Sequence, residues 1–274
     1  DWVYEEECEI SRGWWWSPGS SRIAYLQFDQ RMVPTYPIVD WIPTHPEVER
    51  QHYPKAGDNN AIVRVGVVDA RAGEATAADV PATRWVDLGA DTDIYVPRVA
   101  WTAGDDLLAV QRLDREQTHL ELLLCDVKAG TVRRVIEEFD PKWINIGDDW
   151  KFLTHDDLFI WGSERDGHRH LYLYDLQGRL IRRLTTGAWD VTTLSGVDAA
   201  GKRVLYISTQ ENPRQRQLYQ VSIESGGPPG RITSGDGWHT VWVSPGGDHF
   251  VDSHSTAMNP PTIMVKDTAG ATVA

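Results

Sequence analysis

Basic charge, cysteine and long apolar runs are what this 274-residue sequence has least of. Lysine and arginine number 27 against 40 acidic residues, a formal net charge of −13. With no Lys/Arg cluster to release counterions, a nucleic-acid backbone is excluded as a partner, whereas a cationic ligand is favoured. Only two cysteines occur, Cys8 and Cys125. They are too few for a disulfide scaffold and lack the paired spacing of a zinc site, and a single bridge between them stays open. No apolar run reaches the length of a membrane span. The chain does not open on Met and has no signal-peptide pattern, so it reads as a piece of a longer protein.

Catalytic signatures are missing as well. Ser21 and Ser163 come nearest to a Gly-x-Ser-x-Gly elbow and lack the flanking glycine pair, so no catalytic residue is assigned. The nine histidines form no HExxH pair. His168 and His170 share one face at the start of an apolar strand, where a metal site is one reading and a hydrogen-bonded turn the other. No metal and no cofactor are assigned. The run Gly226-Gly227-Pro228-Pro229-Gly230 lacks a following helix and lysine, so it reads as a turn rather than a phosphate cradle. Ser163-Glu164-Arg165-Asp166-Gly167 reads as a turn with a local ion pair.

Thirteen tryptophans, 23 glycines and 15 prolines suit many short strands joined by tight turns. A period is present. Apolar strands over 62–69, 120–126, 170–175, 217–221 and 262–267 each run toward a glycine, at Gly73, Gly130, Gly178, Gly226 and Gly270. Each is preceded by a partner strand, over 23–26, 107–110, 158–161, 204–207 and 249–251, and a fourth strand is expected after each turn. From 120 onward the spacing is about 45 to 50 residues, that of a four-stranded propeller blade. The fold expected is therefore all-β: a β-propeller of four-stranded antiparallel blades over 1–274, with blades near 10–90, 92–137, 145–187, 190–234 and 237–270. Residues 29–60 interrupt the first blade with a Pro- and aromatic-rich insertion. It is expected to be an arm against a partner subunit or an edge of the substrate cavity, with a disordered excursion as the alternative.

The first seven residues, Asp1-Trp2-Val3-Tyr4-Glu5-Glu6-Glu7, place three consecutive carboxylates beside two aromatics. Adjacent side chains on a strand point to opposite faces, so these carboxylates converge only where the backbone turns, in a helical turn or a bulge. Converged carboxylates repel, and a cation between them relieves the repulsion; a substrate ammonium fits that gap. A solvated acidic terminus is the alternative.

These residues, with Trp15-Trp16-Ser17-Pro18, Tyr53-Pro54-Lys55-Ala56-Gly57, Ser163-Glu164-Arg165-Asp166-Gly167 and Leu184-Thr185-Thr186-Gly187-Ala188-Trp189-Asp190-Val191, resemble the β-propeller of dipeptidyl peptidase IV and its relatives in the prolyl oligopeptidase clan. The resemblance implies about five of that family's eight blades. It also implies a serine exopeptidase releasing N-terminal X-Pro or X-Ala dipeptides, whose α/β-hydrolase domain follows the propeller and is absent from this chain. Glu6 and Glu7 then hold the substrate's α-ammonium, and both are expected to face the inner cavity near one another. The partners implied are a peptide N-terminus, the C-terminal hydrolase domain and a second copy in a homodimer; the locations implied are periplasmic, secreted or membrane-anchored. The chain alone is expected to be inactive, and Asp1 and Ala274 to lie far apart. Glu9 stands where vertebrate members carry an aromatic, and Trp14 extends a Trp pair to three. Two other readings remain: a propeller serving only as a protein-interaction platform, and the propeller of a tripeptidyl or acylaminoacyl peptidase.

Overall fold

A computed structural model describes residues 1–70, 82–154, 157–198 and 200–273. The Gly73 turn and Ala274, with the expected separation of the chain ends, lie outside the described residues. The chain forms two compact units, Asp1–Ile146 and Gly147–Ala274.

The first unit opens with a short helix, α1 (Trp2–Glu6), capped by the Asp1 side chain, which accepts the Tyr4 N–H. Strands β1 (Trp14–Trp16) and β2 (Arg22–Asp29) follow, then a separate ribbon of β3 (Thr35–Asp40) and β4 (Glu47–His52). Strands β5 (Ile62–Asp69) and β6 (Arg84–Trp85) complete the first sheet, in the order β1-β2-β5-β6. The second sheet is an antiparallel meander of β7 (Ile94–Trp101), β8 (Leu107–Asp114), β9 (His119–Asp126) and β10 (Thr131–Phe139).

In the second unit, β11 (Trp150–Phe152), β12 (Leu158–Ser163), β13 (His170–Asp175) and β14 (Leu180–Arg183) form one sheet. Another contains β15 (Val191–Val197), β16 (Arg203–Ser208), β17 (Gln217–Ser222) and β18 (Gly226–Arg231). The last sheet, β19 (Trp238–Val243), β20 (His249–Ser255) and β21 (Thr262–Asp267), has three strands among the described residues. The all-β fold of four-stranded antiparallel blades read from the sequence is therefore the one adopted, as part of a propeller.

Burial explains the pattern. The inner strands are covered on both faces, so β13 buries His170, Leu171, Tyr172, Leu173 and Tyr174 in succession, whereas the outer β14 is exposed at all four positions. Ile160, Leu173, Val204, Tyr206, Tyr219 and Val221 form one apolar layer, and Leu205, Leu218, Val241 and Phe250 form the next. Each Val, Leu, Ile or Phe side chain among them contributes about 1.5–3 kcal/mol when fully buried.

The Asp-to-Gly turns have a common cause. The Asp175 carboxylate accepts the Gln177 and Arg179 N–H groups while Gly178 takes a left-handed φ of 83°. Asp126 with Lys128, Ala129 and Gly130 repeats the device.

Residues 226–230 depart from the expected turn. They start β18, which pairs Ser222↔Gly226 and Gln220↔Gly230 along the free edge of its sheet. Proline is tolerated there because an edge strand leaves one row of N–H positions unpaired. Cys8 and Cys125 are both free and buried, so the bridge left open in the sequence does not form. Among the described residues no helix is long and apolar enough to cross a membrane.

Candidate functional site

The acidic run folds as a helical turn, one of the two backbone shapes expected for it. Val3 and Tyr4 are buried beneath it, whereas Glu5, Glu6 and Glu7 are exposed. Glu7 caps the helix in a right-handed conformation, its N–H bonded to the Val3 carbonyl. Glu9 then takes a left-handed φ of 54°, a conformation uncommon for a side chain other than Gly or Asn. The last turn has no basic residue, so its carboxylates sit at the end of the helix where backbone carbonyls already concentrate negative charge. Among the described residues neither the Glu6 nor the Glu7 carboxylate has a hydrogen-bond or ion-pair partner in the protein.

Successive helical side chains point about 100° apart, and the two carboxylates accordingly line different clefts on either side of one turn. Glu6 lines a cleft of about 610 Å³ with Glu5, Glu9, Arg12 and Phe28. Glu7 lines one of about 760 Å³ with Lys55, Tyr53, Tyr36 and Arg115. The structure thus brings Glu6 and Glu7 to one turn but not to one cleft.

The arm borders the second cleft. Tyr53, just past β4, lies 4.4 Å from the Trp2 ring and 5.9 Å from Tyr36, and Lys55 approaches the Tyr36 face at 5.2 Å. Arg115, which the sequence reading missed, bonds Asp93 at 3.0 Å and the Asp58 carbonyl at 2.7 Å, so its guanidinium is held at the cleft wall. Nothing in its local sequence distinguishes it from a solvated turn arginine; only the tertiary contact does.

The remaining candidates are structural. His168 meets Asp190 at 3.1 Å, and His170 meets the Thr185 hydroxyl at 3.1 Å and the Gly187 carbonyl at 3.0 Å. Burial holds the His170 imidazole pKa below its ordinary value. Ser163 accepts from the Arg165 Nε at 2.9 Å, and Ser21 donates to Asp105 at 2.7 Å. Neither serine has a histidine base among the described residues.

One trio, His119, Glu121 and Glu137, brings potential metal-ligand atoms within 4.8 Å of one another. Two guanidiniums already occupy it. Arg112 bonds Glu121 at 2.7 Å, and Arg134 reaches Glu121 at 3.1 Å and Glu137 at 2.6 Å. Burial raises the pKa of the Glu121 carboxyl, and the two arginines outweigh it, leaving it lowered. The trio is an ion-pair network rather than a cation site.

Repeating four-stranded antiparallel sheets place the chain in the β-propeller class. A family model described as the dipeptidyl peptidase IV (DPP IV) N-terminal region matches residues 1–261, and the chain belongs to that family. A "probable dipeptidyl-aminopeptidase B" of Aspergillus terreus is 30% identical over 273 residues, covering 90% of this chain and 29% of that protein. A "probable dipeptidyl peptidase 4" of Aspergillus fumigatus is 29% identical over 237 residues, 81% of this chain and 30% of the relative. The crystal structure of Porphyromonas gingivalis dipeptidyl peptidase 4 superposes with a TM-score of 0.87 at 31% identity, over 100% of this chain and 38% of that one. The chain thus spans about three tenths of the length of the curated relatives it matches.

Proposed function

We propose that this chain is the substrate-selecting propeller of a serine exopeptidase that releases N-terminal X-Pro or X-Ala dipeptides, with Glu6 and Glu7 binding the substrate α-ammonium. The observation that carries the reading is the pair of exposed carboxylates, adjacent on one turn and without partners among the described residues, in a chain of the dipeptidyl peptidase IV N-terminal family. Both side chains are exposed, and among the described residues no protein group pins either one. A charge-assisted bond from each carboxylate fixes the amino end at a set distance from a nucleophile on the hydrolase domain. Two residues then fit before the scissile bond, and a propeller with no catalytic group decides the exopeptidase specificity.

The test is Glu6→Gln with Glu7→Gln in the longer protein carrying the hydrolase domain. The double variant is expected to fold and to lose cleavage of dipeptide p-nitroanilides by at least about a hundredfold in kcat/KM. Wild-type kcat/KM removes the ammonium role.

The ribbon of β3 and β4 is assigned to the homodimer. Trp41 and Ile42 at its tip are 75% and 94% exposed, and Ile38 and Val48 are exposed along it, an apolar edge that a second copy would cover. Deleting residues 35–51 in the longer protein is expected to shift its mass by light scattering from dimer to monomer; an unchanged dimer removes the assignment.

A further inference from the structure

The acidic turn is fastened to the second sheet at an irregularity. In the ladder of β7 with β8, Tyr95 pairs with Leu113 and Arg98 with Gln111, so β7 spends three steps where β8 spends two. This is a β-bulge, and Pro97, which has no N–H to give a ladder, lies in it. The bulge has two consequences for α1.

The first is a bond from the Val96 N–H, which points out of the ladder, to the buried Tyr4 phenol oxygen at 3.1 Å. Tyr4 is wedged against Phe28 at 4.6 Å and Tyr95 at 6.2 Å, and burial drives its pKa far above the ordinary phenol value. The second is a bond from Arg98 Nη1 to the carbonyl of Cys8, the residue directly after Glu7, at 2.6 Å, with another to the Pro97 carbonyl at 2.7 Å. One tether grips the middle of α1 and the other the chain leaving it. Together they fix the height and rotation of the turn on which Glu6 and Glu7 stand. Arg98 also brings a cation to a helix end whose own side chains are acidic.

We propose that Arg98 and Tyr4 are positioning residues for the ammonium site, setting the geometry of Glu6 and Glu7 without touching substrate. The proposal rests on the ammonium-binding reading given above. A helix of five residues has little rigidity of its own, so the precision of any grip it offers comes from what it is fastened to. The bulge supplies that fastening from a strand whose ladder is otherwise regular on either side.

The experiment uses the longer protein and compares Arg98→Met, Arg98→Lys, Tyr4→Phe, Glu6→Gln and Glu7→Gln. Each is assayed for kcat and KM on a free-amine dipeptide p-nitroanilide, and for the rate at which a fluorophosphonate labels the nucleophilic serine. Arg98→Met is expected to raise KM about tenfold with kcat changed less than about threefold and labelling unchanged, because remote geometry is lost and the reacting groups are not. Arg98→Lys, which still reaches one carbonyl, recovers most of the loss. In a Glu7→Gln background Arg98→Met adds less than about twofold, since the group it positions is already neutral. Tyr4→Phe removes one oxygen, keeps the packing, and gives an independent reading should Arg98→Met not accumulate; it too raises KM at unchanged labelling.

A wild-type KM in both Arg98→Met and Tyr4→Phe, while Glu7→Gln loses activity, overturns the positioning role and leaves the ammonium reading standing. Labelling that slows in step with KM also overturns it, as general damage to the fold. Wild-type KM in Glu7→Gln and in Glu6→Gln overturns both.

Discussion

Two clusters of charge in this molecule obey opposite rules. On β19, β20 and β21, Asp252 lies buried with His239 Nδ1 at 2.8 Å and Lys266 Nζ at 2.7 Å, and the His239 ring stacks on His254 with centroids 4.2 Å apart. At α1, Glu6 and Glu7 are exposed at the mouths of clefts, and neither carboxylate forms an ion pair among the described residues. The first cluster is closed around its anion, which has a partner on each oxygen, although the buried His239 Nε2 has no hydrogen-bond partner among the described residues. The second is open, in a place where helix polarity already disfavours negative charge. The substrate ammonium proposed above would complete it.

The comparison can be broken from either side. The largest effect is expected at the closed cluster. Asp252→Ala leaves a buried histidine and lysine without their anion and should cost about 3–5 kcal/mol in urea denaturation; a cost below about 1 kcal/mol would mean the cluster is not closed in the sense described. A smaller effect of defined sign follows from pH. Burial raises the pKa of the Asp252 carboxyl, and the hydrogen bonds from His239 and Lys266 outweigh it, so its pKa lies below the ordinary value. A depressed carboxyl stabilises the fold above its unfolded-state pKa of about 3.9 and loses that contribution as pH falls through the folded value. The stability difference between wild type and Asp252→Asn should therefore shrink on acidification through that range, and a difference that is flat or grows breaks the assignment. Smallest of all, Glu6→Gln and Glu7→Gln should leave stability within about 0.5 kcal/mol, as surface changes do. A loss beyond that would make the open cluster structural, and the contrast would fail.

The same contrast separates what the sequence discloses from what it hides. The inner strands were legible because both faces are covered, so their residues read as continuous apolar runs closed by Asp and Gly, as in β13 and its turn at Gly178. The first seven residues disclosed their need for a turn, since adjacent carboxylates cannot converge on a strand. Their distribution between two clefts was hidden, because it depends on how Tyr53 and Arg115 close around α1 from distant positions. The pairing of the insertion as Thr35↔His52 to Asp40↔Glu47 was hidden too, since its exposed strands carry no buried face to give them a period. For β18 the letters Gly-Gly-Pro-Pro-Gly spelled a turn, and only the edge position makes them a strand. Pro97, set within the apolar run Ile94–Trp101, was the one local sign of the bulge that binds Tyr4 and Arg98.

The two cysteines have a practical consequence. Burial pushes the Cys8 thiol pKa up to about 11, against the pull of Arg98, and that of Cys125 up to about 12, so almost no thiolate exists near neutral pH. Maleimides and nitroxide reagents should pass both by. A Trp41→Cys substitution at the ribbon tip would then be the only reactive handle on this portion of the protein, and dipolar spectroscopy between two such labels would read the spacing of ribbons in any paired assembly without further engineering.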